Sequence, residues 1–279
     1  MKALGGGIGY GVLVEPRLIE TTSILVPVRD LPPELDGYRI ALLSDIHYSF
    51  RGGRDFLRSI VRKTNALDPD MVALPGDFIA RKPRHLPRCF SILSDLRAPD
   101  GCWVTRGNHD YRVPEREMRA LSREVGFHFL ENEHRVLRPA RQRLRGGFNG
   151  NGATHPKASL VLAGVGDLWE GECAPGKALH GAPDGRPVVM LSHNPQAAEL
   201  LLERHRVDLM LSGHTHGGQV RPLGRRLKVF SDGSAKYVSG LVETSRALVY
   251  ISRGVGTSAF HFRWNCRPEI ALIQLVPGE

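Results

Sequence analysis

The stretch Ser212-Gly213-His214-Thr215-His216-Gly217-Gly218-Gln219 follows directly on the apolar run 207–211. A short apolar run of this kind predicts a buried strand. In extended backbone, side chains at positions i and i+2 project to the same side, so we expect both imidazoles to face one pocket. The glycines remove Cβ atoms and permit a tight turn beneath it. Two polar loop histidines of no function would give the same pattern, so its meaning depends on the preceding chain.

The preceding chain alternates apolar runs with amphipathic stretches. Strands are predicted at 38–44, 71–74, 102–105 and 188–192, and helices at 55–67, at 86–96 and from 195 through 202. This alternation favours βαβ units and a largely parallel sheet. Shorter strand-like runs without intervening helices predict a second, mixed sheet packed on the first: 127–130, 134–137, 159–163, 247–251 and 270–275.

Polar residues close each strand of the first set. In order they are Asp45 and His47, Gly76-Asp77, Gly107-Asn108-His109-Asp110, His193, and the pair His214 and His216. Functional residues of parallel sheets gather at the carboxyl ends of the strands. Carboxylate, amide and imidazole groups together suit divalent ions such as Mn²⁺, Fe²⁺ or Zn²⁺. One such motif occurs by chance in many chains, but five in this order indicate a metal centre.

With these motifs and Leu-Ser-His-Asn-Pro at 191–195, the chain resembles the calcineurin-like metallophosphoesterases over residues 45–219. The resemblance implies an α/β fold, a four-layer α-β-β-α sandwich of two mixed sheets flanked by helices. It also implies two divalent metal ions, with Mn²⁺ expected first and Fe²⁺ or Zn²⁺ as alternatives. By position, Asp45, His47 and His216 would hold one metal and Asn108, His193 and His214 the other, with Asp77 bridging both.

The resemblance also assigns residues around the metals. His109 would lie beside the substrate as proton donor, and Asp110 would orient its ring. Arg51 and Arg221 are the candidate substrate-binding residues. Arg106 departs from the family pattern, in which a small or apolar residue is usual, and is expected to alter the rim of the site.

The implied activity is hydrolysis of a phosphodiester or pyrophosphate in a nucleotide- or lipid-linked substrate. Two cations about 3.5–4 Å apart hold a bridging hydroxide in line with phosphorus. The tail motifs at 252–258 and 265–270 are similar to the bacterial membrane-associated branch, so a UDP-2,3-diacylglucosamine-type compound of lipid A synthesis is the best specific candidate. A nuclease is the alternative, although family nucleases usually carry an added DNA-binding domain. A non-catalytic metal-binding scaffold ranks third. Such proteins tend to lose the residue at the position of His109 or a metal ligand, and this chain keeps all of them.

Composition sets further bounds. A chain of 279 residues with 41% hydrophobic residues suits one large α/β domain or two small ones. The net charge of +9 is compatible with an anionic substrate, nucleic acid or an anionic membrane surface, and decides nothing alone. The four cysteines form no C-x-x-C pair, which indicates neither a disulfide framework nor a thiolate zinc site. No obligate protein partner is inferred.

An apolar, glycine-rich run at 3–14 precedes Glu15-Pro16. A bilayer span needs roughly 20 apolar residues, and the run also lacks a small-residue cleavage site of the secretory kind. We expect a tail or shortened anchor at 1–17, a phosphoesterase domain at 18–279 and a mobile, Arg- and Gly-rich insertion at 138–157. The expected location is cytoplasmic or peripheral to the membrane rather than exported.

Overall fold

A computed structural model describes residues 7–49, 53–140, 159–201, 205–222 and 236–278. Its strands are β1 (Glu20–Arg29), β2 (Arg39–Leu42), β3 (Met71–Leu74), β4 (Cys102–Val104), β5 (Phe127–Phe129), β6 (Glu133–Leu137), β7 (Leu160–Gly164), β8 (Val188–Leu191), β9 (Leu209–Ser212), β10 (Gly240–Glu243), β11 (Leu248–Ile251) and β12 (Glu269–Gly278). Its α-helices include α1 (Gly53–Ala66), α2 (Leu86–Leu93), α3 (Glu115–Glu124) and α4 (Pro175–Ala178). Short 3₁₀ helices include Asn108–Arg112, Pro195–Leu200 and His216–Gly218.

The strands form two six-stranded mixed sheets. The order in the first sheet is β1-β12-β2-β3-β4-β5, and only the β12–β2 pair is antiparallel. The order in the second is β10-β11-β9-β8-β7-β6, with antiparallel pairs at its two edges. The central strands β3, β8 and β9 are buried along their whole length, as expected for parallel strands covered on both faces.

Alternate residues along each strand separate three apolar cores. The core between the sheets joins residues of both, among them Ile40, Leu42, Leu162, Leu191 and Leu211. Strand neighbours such as Ala41 and Val72 point the other way and pack against Leu57 and Ile60 of α1 and Phe90 of α2. The outer face of the second sheet packs against α4 and the 3₁₀ helix Pro195–Leu200. The predicted α-β-β-α sandwich is therefore confirmed.

Several predictions about individual elements are wrong. Strands β5 and β12 belong to the first sheet, not the second, whereas β8 and β9 lie in the second. Helix α3 was not predicted, although the parallel pair β4–β5 requires such a crossover. The helix predicted from 195 is a 3₁₀ turn, because Leu201 already has extended backbone (φ −70°, ψ 126°). Apolar runs predict that a strand is buried, but long-range packing selects its neighbours.

The N-terminal helical turns at 7–17 pack against the loop that precedes β12. The backbone oxygen of Gly11 accepts a hydrogen bond from the amide of Arg263 at 2.9 Å. The buried Glu15 carboxylate accepts from the amide of Cys266 at 2.6 Å. Among the described residues, no helix is long and apolar enough to cross a membrane. Most of the predicted insertion, 141–157, lies outside the described residues, and the division at residue 17 stays a prediction.

The four cysteines are free thiols, of which Cys89, Cys102 and Cys266 are buried and Cys173 is partly exposed.

Candidate metal centre

The carboxyl ends of strands from both sheets meet at one place. Loops after β2, β3 and β4 carry Asp45, Asp77 and Asn108, and loops after β8 and β9 carry His193 and His214. Three groups of side chains have ligand atoms within 4.8 Å of one another: Asp45–His47–His216, His47–Asp77–His109 and Asp45–Asp77–His193. Carboxylates and imidazoles from the first sheet thus converge with imidazoles from the second sheet on a single cluster.

Asp77 lies at the middle of this cluster. Its Oδ2 atom is 3.3 Å from Nε2 of His47 and 3.4 Å from Nε2 of His193. Its Oδ1 atom accepts a hydrogen bond from the amide of His109 at 2.9 Å. Burial raises the pKa of this carboxyl, but the neighbouring histidines, His193 first, outweigh burial and hold the pKa well below its usual range. The geometry gives Asp77 the central position that a bridging ligand requires.

Asp45 lies at one side of the cluster. Its Oδ1 atom is 3.4 Å from Nε2 of His216, and its carboxylate accepts from Oγ of Ser44 at 2.6 Å and from the amide of His214 at 3.0 Å. Burial raises the pKa of Asp45 to about 6. These bonds leave the carboxylate fixed in direction and facing the cluster.

Asn108 and His214 lie at the other side. Oδ1 of Asn108 is 3.2 Å from Nδ1 of His214, and the centroids of the His214 and His193 rings are 5.1 Å apart. All seven residues predicted as metal ligands are therefore brought together by the fold.

Unpartnered buried nitrogens indicate what the cluster can hold. Nδ1 of His193 is bonded to the backbone oxygen of Pro75 at 2.9 Å, so its buried Nε2 points at Asp77 without a hydrogen-bond partner. In metal-ligating histidines, a hydrogen bond from the ring nitrogen that does not bind the metal orients the imidazole. Burial lowers the pKa of His47 to about 4 and of His214 to about 3, which favours the neutral imidazole that binds metals. The donor set fits two divalent cations.

The backbone at the cluster is left-handed rather than extended. His214 has φ 73° and His216 has φ 51°, so the expected extended His-x-His conformation is wrong although both rings reach the site. Asp45, His47 and Asp77 also have positive φ, at 52°, 45° and 58°. Non-glycine residues in this region carry strain and occur often at functional sites. A sharp turn after each strand directs the side chain back over the strand end.

Two glycines allow the backbone to approach Asp45 closely. A Cβ atom on Gly213 would collide with Oδ2 of Asp45, and one on Gly254 would lie 2.6 Å from its Cβ.

The fully buried guanidinium of Arg263 donates to the backbone oxygens of Arg253 and Gly254 at 2.9 and 3.0 Å. Sequence reasoning missed Arg263, since nothing in its local pattern distinguishes it from a surface arginine.

The predicted role of Asp110 is wrong. Its Oδ2 atom accepts from the amides of Asp77 at 2.7 Å and Gly107 at 3.0 Å, and Oδ1 accepts from Phe78 at 3.0 Å. The ring of His109 is instead bonded through Nδ1 to the backbone oxygen of Ala80. Asp110 therefore joins the loops after β3 and β4, because its side chain turns into the backbone of both.

Arg106 is buried and does not form the rim as expected. Its Nε donates to Oε2 of Glu131 at 2.8 Å, and its guanidinium lies 3.8 Å from the centroid of the Tyr111 ring. The hydroxyl of Tyr111 donates to the same Glu131 carboxylate at 2.8 Å. The Arg106 and Glu131 side chains are only 8% and 9% exposed, and these partners could not be identified from the sequence.

Arg51 and Arg221 are the predicted substrate-binding residues, and Trp169 is a further residue beside the cluster. Arg51 lies outside the described residues. The amide of Arg221 donates to the backbone oxygen of Trp264 at 2.8 Å, and a substrate-binding role for its side chain stays a prediction. Trp169, which sequence reasoning missed, lies with its ring centroid 4.2 Å from that of His214. Its isolated position in a polar loop carried no sequence signal of this contact.

Comparison with known proteins identifies relatives that match nearly the whole chain. A "Transmembrane protein with metallophosphoesterase domain" of Danio rerio is 32% identical over 277 residues, which cover 95% of this chain but only 59% of that relative. "Phosphodiesterase YaeI" of Escherichia coli is 32% identical, and the match covers 98% of this chain and 94% of the relative. Among solved structures, the protein TT1561 of Thermus thermophilus has a TM-score of 0.49 at 17% identity, covering 78% of this chain and 90% of that one. The family model "Calcineurin-like phosphoesterase" matches residues 38–218, and the chain belongs to that family.

Proposed function

We propose that this protein is a dinuclear-metal-dependent phosphoester hydrolase acting on phosphodiesters or pyrophosphates. One observation carries the proposal. A single carboxylate oxygen, Oδ2 of Asp77, lies between buried imidazole nitrogens of His47 and His193, at 3.3 and 3.4 Å. Two imidazoles that face one carboxylate oxygen from the two sheets would suit a pair of cations that share this carboxylate.

The residues of the cluster divide into two ligand sets that share Asp77. One set is Asp45, His47 and His216, and the other is Asn108, His193 and His214. When bound, a pair of divalent cations would supply an acidified water and neutralise the charge of the phosphate. Mn²⁺ is the first expectation, and Fe²⁺ or Zn²⁺ would suit the same donors.

His109 is proposed to protonate the leaving group. Its ring packs edge-on against His47, with centroids 4.7 Å apart. Because Nδ1 is engaged by the backbone oxygen of Ala80, Nε2 is the atom left to hold the transferable proton. A proton passed from Nε2 to the leaving oxygen would neutralise the alkoxide or phosphate as its bond to phosphorus breaks.

The surroundings support a substrate with an apolar group attached to the phosphate. A groove of about 100 Å³ has His47 in its lining together with apolar Phe56, Leu57 and Val255, and with Arg17 and His261 among its polar members. The relative named "Phosphodiesterase YaeI" favours a diester. A nucleotide- or lipid-linked compound of the UDP-2,3-diacylglucosamine type is the specific candidate, and a nucleic-acid phosphodiester is the alternative.

We extend the proposal to the place of action, an anionic membrane surface. The N-terminal turns expose Ile8, Leu13, Val14 and Leu18 while Gly11 and Glu15 hold the segment to the domain. A docked segment with an apolar outer face can lie in the interface of a bilayer, assisted by basic residues.

The test is a metal analysis of the purified protein followed by a substrate panel. The panel runs from bis-p-nitrophenyl phosphate to UDP-2,3-diacylglucosamine and oligonucleotides, with Mn²⁺, Fe²⁺ or Zn²⁺ added back to chelated protein. We expect about two metal ions per chain and metal-dependent hydrolysis of the diesters. Absence of bound metal, or hydrolysis unaffected by chelation, would refute the proposal.

A further inference from the structure

An exposed tryptophan lies directly beside the metal centre. Trp169 belongs to the loop between β7 and α4, and its ring meets His214 at an interplanar angle of 84°. The residue nevertheless remains 54% exposed. A tryptophan left half in water gives up apolar burial that a packed position would supply. The contact with His214 explains only the buried part of the Trp169 side chain and leaves the exposed part unexplained.

The position of the loop is held by hydrogen bonds at its base. Oδ1 of the buried Asp167 accepts from the amides of Trp169 at 2.9 Å and Glu170 at 3.0 Å. The amide of Asp167 donates to the hydroxyl of Tyr111 at 3.0 Å, and that hydroxyl donates to Glu131. The tryptophan is therefore linked to the buried Arg106–Glu131 pair.

A closely packed glycine further restricts the loop. A Cβ atom on Gly171 would collide with the ring and hydroxyl of Tyr111. The exposure of Trp169 is thus a property of an anchored loop, and its aromatic surface is presented at a defined distance from His214.

We propose that Trp169 is a stacking surface for a nucleobase of the substrate. This inference rests on the proposed function, because a phosphate held near Asn108 and His214 would lie beside the indole. A base joined to that phosphate through a sugar is within reach of the exposed ring surface. Stacking on an aromatic side chain tolerates every base, since each has a π face. The inference therefore favours nucleotide-linked substrates without selecting the base.

The experiment compares ligands that share a phosphate and differ in the attached group. Calorimetry on the Mn²⁺-reconstituted protein would measure the Kd of adenosine 5′-monophosphate, hexyl phosphate and methyl phosphate. For Trp169→Ala we expect a loss of about 5- to 150-fold in affinity for the adenylate, with methyl phosphate unchanged. Trp169→Phe should recover most of the loss, since a smaller ring still stacks. Leu25→Ala, at a 61% exposed apolar residue of β1, is the control and should change nothing.

The possible results separate the alternatives. Equal weakening of adenylate and methyl phosphate would show that Trp169 acts only on His214 and would overturn the inference. Equal weakening of adenylate and hexyl phosphate would show an apolar contact without stacking, which also overturns it. If the protein hydrolyses bis-p-nitrophenyl phosphate but Trp169→Ala leaves its affinity for the adenylate unchanged, the inference is refuted and the proposed function stands. A wild-type protein that neither binds phosphates nor hydrolyses diesters refutes the proposed function and this inference with it.

Discussion

The Nε2 atoms of His47 and His216 lie 2.9 Å apart in a buried pocket, with their rings inclined by 29°. Each also faces a carboxylate oxygen, His47 that of Asp77 at 3.3 Å and His216 that of Asp45 at 3.4 Å. The Nδ1 atoms of both rings are buried without a hydrogen-bond partner. Burial lowers the pKa of both imidazoles, so neutral rings direct their nitrogens at one small volume. This relationship supports the first of the two proposed metal sites.

Asp77→Asn should remove the charge shared by both proposed metals. We expect metal affinity to fall by more than about 100-fold, beyond the 10- to 100-fold typical of outer-shell changes, and turnover to fall with it. Metal analysis and circular dichroism would check that the fold survives. Asp55→Asn, at a 97% exposed side chain of α1, is the matched control. Full metal content with near wild-type turnover in Asp77→Asn would contradict the bridging role.

His109→Ala should separate proton donation from metal binding. We expect both metals to be retained and turnover of alkyl diesters to fall by about 10²–10⁴-fold. A p-nitrophenyl diester should lose less, because its leaving group needs little protonation. His180→Ala, at an exposed histidine, serves as the control. Equal losses on both substrates, or loss of metal, would assign His109 another role.

Removal of metal should lower thermal stability. A ligand that binds only the folded state at 100 times its Kd stabilises a protein by about 2.7 kcal/mol. For a chain of 279 residues that corresponds to a decrease in Tm of about 5 °C after chelation. Scanning calorimetry before chelation, after chelation and after addition of Mn²⁺ would measure the decrease and its reversal. An unchanged Tm in all three states would argue against a metal-stabilised cluster.

Gly254→Ala should displace Asp45. Gly254 has φ +68° and a Cβ there would lie 2.6 Å from Cβ of Asp45, whereas Gly181 has φ +75° with nothing within 4 Å. Both substitutions carry the cost of left-handed backbone, about 1–2 kcal/mol. Only Gly254→Ala should also weaken metal binding, measured by titration of the chelated protein. Equal metal affinity in the two variants would show that the close approach to Asp45 is unimportant.

Membrane association should depend on the exposed face of the N-terminal turns. Replacing Ile8 and Leu13 by serine should weaken co-sedimentation with anionic vesicles and leave hydrolysis of a soluble diester unchanged, because neither side chain is buried. Binding of the parent protein should also decrease at high salt. Leu25→Ser, on β1, tests whether any exposed apolar residue has the same effect. A parent protein that stays in the supernatant at low salt would contradict membrane association.

Local sequence patterns predicted most of the strands and the polar residues that meet at the strand ends. The run 71–74 coincides with β3, and Asp77 follows it as expected. Such predictions succeed because side-chain periodicity and turn residues act over a few positions. The roles of Asp110 and Arg106 were predicted incorrectly because these side chains contact residues that are distant along the chain. Their partners, the amide of Phe78 and the carboxylate of Glu131, are 32 and 25 residues distant along the chain.

By itself, the sequence determined which groups stand at the strand ends and hence which chemistry the protein can perform. Only the tertiary structure decided that His193, His214 and His216 arrive from a different sheet than Asp45 and Asp77. It also decided that the rings of Trp169 and His214 meet edge-on. The physical reason is that distances between strand ends depend on how two apolar sheet faces pack and on left-handed turns that aim each side chain. Neither is a property of any short stretch of residues.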